Sequence, residues 1–96
     1  MPTYISLSNW TDQGIRNVRD GAKRLDAAKQ MMKDAGGELK AFYMTLGAYD
    51  IVTVVEAPND EVVAKLLLAI GALGNVRTTT LRAFSEAEAR NILASI

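Results

Sequence analysis

The sequence predicts an α+β domain in which one antiparallel sheet of four strands carries two long helices on one face. Three observations predict this class. Four segments alternate apolar with polar residues or are rich in β-branched and aromatic residues, as strands are. Two longer segments between them repeat apolar residues every three or four positions, as amphipathic helices do. A shorter segment of the same kind ends the chain, so the predicted order is βαββαβ plus a C-terminal helix, within one domain of residues 1–96.

The segment Ala41–Glu56 lies at the centre of the predicted fold and has the character of a β-hairpin. β-branched and aromatic residues fill both halves, and Gly47–Ala48 between them predicts a tight turn with a positive φ at the glycine. We expect strands over Glu38–Leu46 and Tyr49–Ala57, the second ended by Pro58, which cannot donate to a sheet. Two alternating sets could face the helices: Phe42, Met44 and Leu46, or Leu39, Ala41, Tyr43 and Thr45.

The residues before the hairpin predict a strand and a long helix. The strand covers Pro2–Asn9, and the helix covers residues 12–35 and ends at Gly36–Gly37. A break is expected at Asp20–Gly21, because glycine weakens a helix and aspartate favours a new helix start. Arg24 follows Asp20 by four residues, a spacing typical of an ion pair on an exposed helix.

The residues after the hairpin predict a helix, a strand and a final helix. Asn59 or Asp60 caps the helix, which ends near Leu73, and its apolar stripe leaves Leu68 to one side. The strand covers Asn75–Phe84. Ser85 and Glu88 then form the S-x-x-E pattern of a capping box. The last helix carries an apolar stripe, which predicts that it docks on another surface.

Right-handed crossovers place both long helices on the same face of the sheet, which is the ferredoxin-like arrangement. The opposite face is then uncovered, and we expect Tyr4, Ser6 and Ser8 to lie on it, with one face of the hairpin and Thr78 or Thr79. Because soluble monomers seldom expose contiguous apolar patches, we predict a homodimer with its sheets face to face, or a higher homo-oligomer.

Composition argues against several classes of function. Eleven basic and eleven acidic residues cancel, so the chain has no long-range attraction for nucleic acid. Without cysteine and histidine there is no disulfide, no Cys/His zinc site and no histidine base. Scattered carboxylates do not predict a metal site, and no cofactor is expected. The N-terminus lacks the features of a signal peptide and no apolar run is long enough to span a membrane, so a cytoplasmic location is expected.

Three stretches of the sequence resemble the GYD domain family. They are Gly47-Ala48-Tyr49-Asp50 with the following IVTVVEAP run, Asn9–Gly14, and Ala72–Phe84. The resemblance implies a ferredoxin-like fold in the dimeric α/β-barrel grouping and a small protein without an assigned activity. It also implies kinship with the ligand-sensing domains of Lrp/AsnC-type regulators. The chain departs from those regulators in having no helix-turn-helix segment, and it lacks the histidine that enzymes of the barrel grouping often use.

Aromatic, hydroxyl and charged residues near the predicted strands are the candidate site. The candidates for binding a ligand are Tyr4, Ser6, Trp10, Tyr43, Tyr49, Asp50, Thr53 and Arg82. The aromatic and hydroxyl residues could line a cavity between facing sheets or simply pack between subunits. Asp50 could be a general base or a turn residue that accepts backbone N–H bonds. Arg82 could bind a carboxylate or phosphate, or form a surface ion pair.

Two functions are compatible with these residues. The first is an oligomeric protein that binds a small molecule or acts as an assembly module. The alternative is a cofactor-independent enzyme whose site, in the cavity between the sheets, uses Asp50, a tyrosine hydroxyl and an arginine. A closed cavity with convergent polar groups would favour the enzyme.

Overall fold

The computed structural model describes residues 1–96 and has the predicted order of elements. The elements are β1 (Thr3–Trp10), α1 (Asp12–Arg16), α2 (Gly21–Asp34), β2 (Glu38–Met44), β3 (Ile51–Glu56), α3 (Asp60–Ala72), β4 (Val76–Ala83) and α4 (Glu86–Ala94). The strands form one sheet in the order β2-β3-β1-β4, and all neighbouring strands are antiparallel. With α2 and α3 on the same face of the sheet, this is the ferredoxin-like fold that the sequence predicts.

The first helical segment is broken, as predicted, but the break begins earlier than Asp20–Gly21. The helix α1 ends at Arg16, and one 3₁₀ turn, Val18–Asp20, leads into α2. The guanidinium of Arg24 donates to the carbonyl oxygens of Asn17 at 3.0 Å and of Gly14 at 3.3 Å. Arg24 therefore bonds to two carbonyls at the break, although that of Asn17 also accepts from the Asp20 N–H at 3.0 Å, and the ion pair with Asp20 is not formed.

The hairpin turn is wider than the tight turn predicted at Gly47–Ala48. The backbone N–H of Thr45 donates to the carbonyl of Asp50 at 2.8 Å, and the Thr45 hydroxyl donates to the carbonyl of Tyr49 at 2.6 Å. These two bonds close a loop over residues 46–49, so both strands are shorter than expected. Gly47 has a φ of +127°, a positive value as predicted and one that residues with a side chain rarely adopt.

A bulge in β2 decides which hairpin residues face the helices. Leu39 pairs with Val55, whereas Ala41 already pairs with Val54, so the register shifts between Leu39 and Ala41. The shift reverses the alternation. The residues of β2 that face the helices are Leu39, Phe42 and Met44. Neither of the two predicted alternating sets is correct as a whole, because each contributes members to this face.

The prediction that Tyr4, Ser6 and Ser8 lie on the uncovered face is wrong. All three are buried on the face that α2 and α3 cover. Their polar groups can be buried there because the Ser6 and Thr80 hydroxyls bond each other at 2.5 Å and the Tyr4 hydroxyl donates to Asp60. The uncovered face instead presents apolar side chains: Ile5, Leu7, Tyr43, Val52, Val54 and Leu81.

The last helix, α4, begins with the predicted capping box. The N–H of Glu88 donates to the Ser85 hydroxyl at 3.1 Å, and the N–H of Ser85 donates to the Glu88 carboxylate at 2.9 Å. Hydrogen bonding from the Ser85 backbone and then from its side chain lowers the pKa of the Glu88 carboxyl below its usual value. Within the single chain α4 has no extensive packing partner, and Leu93 is 67% exposed. Its docking therefore stays a prediction about an assembly.

No helix of the chain combines the length and apolar character that a bilayer-spanning segment requires.

Candidate functional site

A cavity of about 590 Å³ lies between the sheet and the helices α2 and α3. Its volume follows from the small side chains on both sides. Its helical wall includes Gly21, Ala27 and Ala28 of α2, and its floor includes Ser6 and Ser8 of β1. Larger apolar residues complete the wall, among them Leu25 and Met32 of α2 and Leu66 and Ile70 of α3. Cavities of this size and apolar character typically hold small molecules.

Several hydroxyl groups on the floor of the cavity are available to a ligand. Ser6 is engaged with Thr80, but Ser8, Thr53 and Thr78 form no side-chain hydrogen bond within the chain. Every fully buried polar side-chain atom of the protein has a hydrogen-bond partner. Because these three hydroxyls have none, they are not fully buried, and they are accessible from the cavity. The floor thus offers polar contacts inside a largely apolar enclosure.

Arg24 supplies the only charge in the wall of the cavity. It is half-buried, and its guanidinium donates to the Gly14 and Asn17 carbonyls. No carboxylate forms an ion pair with it, because the two ion pairs of the chain, Lys40–Glu38 and Arg90–Glu86, lie elsewhere. A guanidinium has five N–H donors, so Arg24 retains donors for a further acceptor.

Asp50 fastens the hairpin to the end of β1. Its carboxylate accepts from the N–H of Trp10 at 3.0 Å, and its own N–H donates to the carbonyl of Ser8 at 2.9 Å. The carboxylate thereby takes the place of a backbone carbonyl and extends the pairing of β1 and β3. Of the two interpretations offered by the sequence, the contacts match the one in which Asp50 accepts a backbone N–H, although the donor comes from β1 and not from the turn.

Tyr4, Asp60 and Arg82 form a second cluster at the other end of β1. The buried phenol of Tyr4 donates to Asp60 in the first turn of α3. Burial, reinforced by this hydrogen bond and by the Asp60 charge, raises the pKa of Tyr4 above 10.0. The Arg82 guanidinium lies 5.7 Å from the centre of the Tyr4 ring and 4.8 Å from that of Phe84. No ion pair joins Arg82 to an acid.

The cavity brings together half of the residues that the sequence nominated. Tyr4, Ser6, Trp10 and Thr53 line it, and their role in binding remains a prediction. Tyr43 lies on the uncovered face, Tyr49 in the hairpin loop, and neither these two nor Asp50 and Arg82 line the cavity.

The groups proposed for an enzyme do not converge within one chain. Asp50 is beside Trp10 and Arg82 is beside Tyr4, at opposite ends of β1, about 20 Å apart at the rise of a β-strand. Sequence reasoning also missed Arg24. Its position directly before Leu25 of the apolar stripe, and after the helix break, is the signal that could have indicated it.

The uncovered face of the sheet forms one continuous apolar surface. Ile5 pairs with Val54 on one side and with Leu81 on the other. Leu7 pairs with Val52, which in turn pairs with Tyr43. Tyr43 is 61% exposed, and no element of the chain covers this surface. We refer to Ile5, Leu7, Tyr43, Val52, Val54 and Leu81 as the open-face patch.

Comparisons of the sequence with known proteins identify a matching domain family and a similar protein. Residues 4–93 match the GYD domain. The chain is 38% identical, over 89 residues, to a "glutamine synthetase and cystathionine beta-lyase binding protein" of Thermus thermophilus. That alignment covers 92% of this chain and 94% of the relative.

Among solved structures, MtbAldR (TM-score 0.69, 15% identity) and the feast or famine regulatory protein of M. tuberculosis complexed with L-methionine (0.67, 18%) share the fold. Each match covers 88% of this chain, which spans only about half of either protein (52% and 51%). The protein TTHA0845 of T. thermophilus also shares it (TM-score 0.56, 24% identity, 88% of this chain and 95% of that one).

These likenesses confirm the predicted ferredoxin-like fold. The sequence match extends over nearly the whole chain and includes the hairpin signature Gly47-Ala48-Tyr49-Asp50. The protein therefore belongs to the GYD domain family.

Proposed function

We propose that this protein is a homo-oligomeric module that binds an enzyme of amino-acid metabolism, with glutamine synthetase as the first candidate. The observation that supports self-association is the open-face patch, a continuous apolar surface that no element of the chain covers. The name of the T. thermophilus relative supports the kind of partner, because that protein aligns with 92% of this chain.

Self-association uses the open-face patch because the patch is continuous and apolar. Two copies related by a two-fold axis can place Ile5, Leu7 and Val54 of one sheet against the same residues of the other. Each side chain removed from water contributes about 1.5–3 kcal/mol when fully buried. The hydroxyl groups of Tyr4, Ser6 and Ser8 are turned away from this face, so the contact does not leave them without partners.

The outer side of α3 is the surface that we assign to the enzyme partner. Leu68 is 75% exposed, and α3 has no charged residue after Lys65. This side faces away from the sheet, so it stays accessible when two sheets pack together. An exposed apolar helix surface of this kind is typical of a protein-binding site.

Surface plasmon resonance with purified glutamine synthetase and cystathionine beta-lyase from the same organism tests the proposal. We expect saturable binding to at least one enzyme. The variant Leu68→Glu should weaken it at least tenfold, because it buries a charge in the contact. Lys29→Glu, on the exposed side of α2, is the control and should leave the affinity unchanged. Binding to neither enzyme, or equal binding by Leu68→Glu, would contradict the proposal.

A further inference from the structure

We propose that the cavity between the sheet and the helices α2 and α3 binds a medium-chain aliphatic carboxylate, with the carboxylate at Arg24 and the alkyl chain among the apolar side chains. This site lies on the opposite side of the sheet from the open-face patch. It is therefore distinct from the surfaces that the proposed function uses, and the two proposals can fail independently.

The volume and lining of the cavity select an alkyl chain. About 590 Å³ is within the range of pockets that enclose a small molecule. Hydrophobic side chains make up 20 of its 27 lining residues. An unbranched chain can follow the gap between the two helices and the sheet, and its affinity rises with each methylene group removed from water.

The charge of the lining selects a carboxylate head group. Arg24 is the one ionised side chain of the lining, and no aspartate or glutamate lines the cavity. Its two bonds to the Gly14 and Asn17 carbonyls fix the guanidinium without neutralising it. A half-buried, fixed guanidinium with free N–H donors favours a carboxylate, which it can bind with two parallel hydrogen bonds.

The polar groups on the floor of the cavity also favour a ligand that carries oxygen atoms. Ser8 is only 6% exposed, opens onto the cavity and has no side-chain partner. Its hydroxyl can donate to a ligand oxygen or to a water that bridges to one. A purely apolar ligand would leave this hydroxyl without a partner and the Arg24 charge without an opposite charge, which costs affinity.

Trp10 provides a direct measurement, because it is the only tryptophan of the protein and it lines the cavity. The probe is 10-bromodecanoate, whose bromine quenches tryptophan fluorescence at short range, used below its micelle-forming concentration. We expect saturable quenching that unbrominated decanoate reverses by competition. Decanol, which has the same chain without the charge, should compete at least tenfold less well, the factor expected for losing a charge-assisted contact.

Variants of Arg24 distinguish binding that depends on the Arg24 charge from non-specific hydrophobic binding. Arg24→Met should raise the dissociation constant of decanoate about tenfold and leave that of decanol unchanged, and Arg24→Lys should restore most of the affinity. Arg19→Met, which removes an exposed charge from the 3₁₀ turn, is the matched control and should change neither constant. An equal effect of Arg19→Met and Arg24→Met would overturn the assignment of the head group.

Filling the cavity tests its location. Ala28 lies in the helical wall, and Ala28→Phe should abolish binding of both decanoate and decanol. If Ala28→Phe does not fold, as judged by circular dichroism, Ala28→Leu serves the same purpose with a smaller change. Quenching that persists in a folded Ala28 variant would overturn the proposal. So would the absence of saturable quenching in the unaltered protein.

Discussion

Tyr4 is the side chain through which three elements are joined. It lies on β1 with 4% of its surface exposed, and its phenol reaches Asp60 in the first turn of α3. The guanidinium of Arg82, on the neighbouring strand β4, lies near its ring. The contact holds the N-terminus of α3 down on the sheet and depends on the phenol keeping its proton.

The stability of the protein should fall at alkaline pH because of Tyr4. Its pKa is raised above 10.0 in the folded chain, so the unfolded chain loses this proton first. The contribution of Tyr4 to the free energy of unfolding is complete below pH 10. It is lost as the pH rises through the pKa that Tyr4 has in the folded chain. Urea unfolding between pH 7 and 11 should show this fall. Tyr4→Phe should cost about 0.5–1.5 kcal/mol at pH 7 and flatten the alkaline fall, whereas Tyr43→Phe should leave it unchanged.

Two glycines of the first helical region should respond in opposite directions to alanine. A Cβ at Gly14 would lie 1.9 Å from the carbonyl oxygen of Asn75, a backbone atom that cannot move aside easily. Gly21 has a helical φ of −55° and nothing within 4 Å of its Cβ position. Gly14→Ala should therefore destabilise by about 1–3 kcal/mol or more. Gly21→Ala should stabilise by about 0.5–1 kcal/mol.

Denaturant unfolding of the two glycine variants, side by side, checks this prediction. Because the substitution is the same, differences in the unfolded chain largely cancel. Unchanged stability of Gly14→Ala would show that α1 does not lie as close to the start of β4 as the structure has it.

At the scale of elements, periodicity predicts what a segment becomes but not which way it faces. The capping box of Ser85 and the break near Asp20 depend on neighbours in sequence, and both are found. The bulge between Leu39 and Ala41 depends on the pairing with β3, so alternation along β2 alone could not locate it.

Polarity was a misleading guide to the faces of β1. Ser6 and Ser8 suggest an exposed face, but the bond of Ser6 to Thr80 allows that face to be buried, and this partner is 74 residues distant. The sequence likewise predicts a cavity between two sheets and not one under the helices. The space beside Ala27 and Ala28 depends on the distance between α2 and the sheet, which the sequence pattern does not specify. Arg24 was overlooked since its spacing from Asp20 fits an ordinary surface pair.

We predict that α4 docks on a second subunit. Its apolar residues Ile92 and Leu93 are 46% and 67% exposed in the single chain, where α4 lacks a packing partner. Leu93→Glu should lower the association constant at least tenfold, because it places an unpaired charge in the contact. Sedimentation velocity across a concentration series measures this. Asn91→Glu, an exposed polar position on the same helix, is the control, and equal behaviour of both variants would show that α4 is free in the assembly.

At the scale of the whole molecule, the single chain has a sparse core. Only nine of 96 residues are buried, and no large side chain is fully buried. A domain of this size is marginal when it relies on its own core alone. Burial of the open-face patch between two copies would supply apolar contact that the isolated chain lacks.

The protein should therefore have a mass above that of one 10.4 kDa chain in solution. Light scattering at micromolar concentration is the measurement. Leu7→Lys or Val54→Lys, each at the centre of the open-face patch, should shift the mass to that of the monomer, because a lysine would be buried unpaired. Ala64→Lys, on the exposed side of α3, should not. A monomeric mass for the unaltered protein would refute the two-fold assembly.

The cavity under α2 and α3 also bears on how the protein responds to hydrostatic pressure. Water reaches the surfaces that enclose void space when a chain unfolds, so the unfolded state occupies less volume than the folded one. The cavity of about 590 Å³ is partly open, so the part of it that water does not occupy adds to that difference. Compression should loosen the helical layer from the sheet, and a molecule that fills the void should make the fold correspondingly harder to compress.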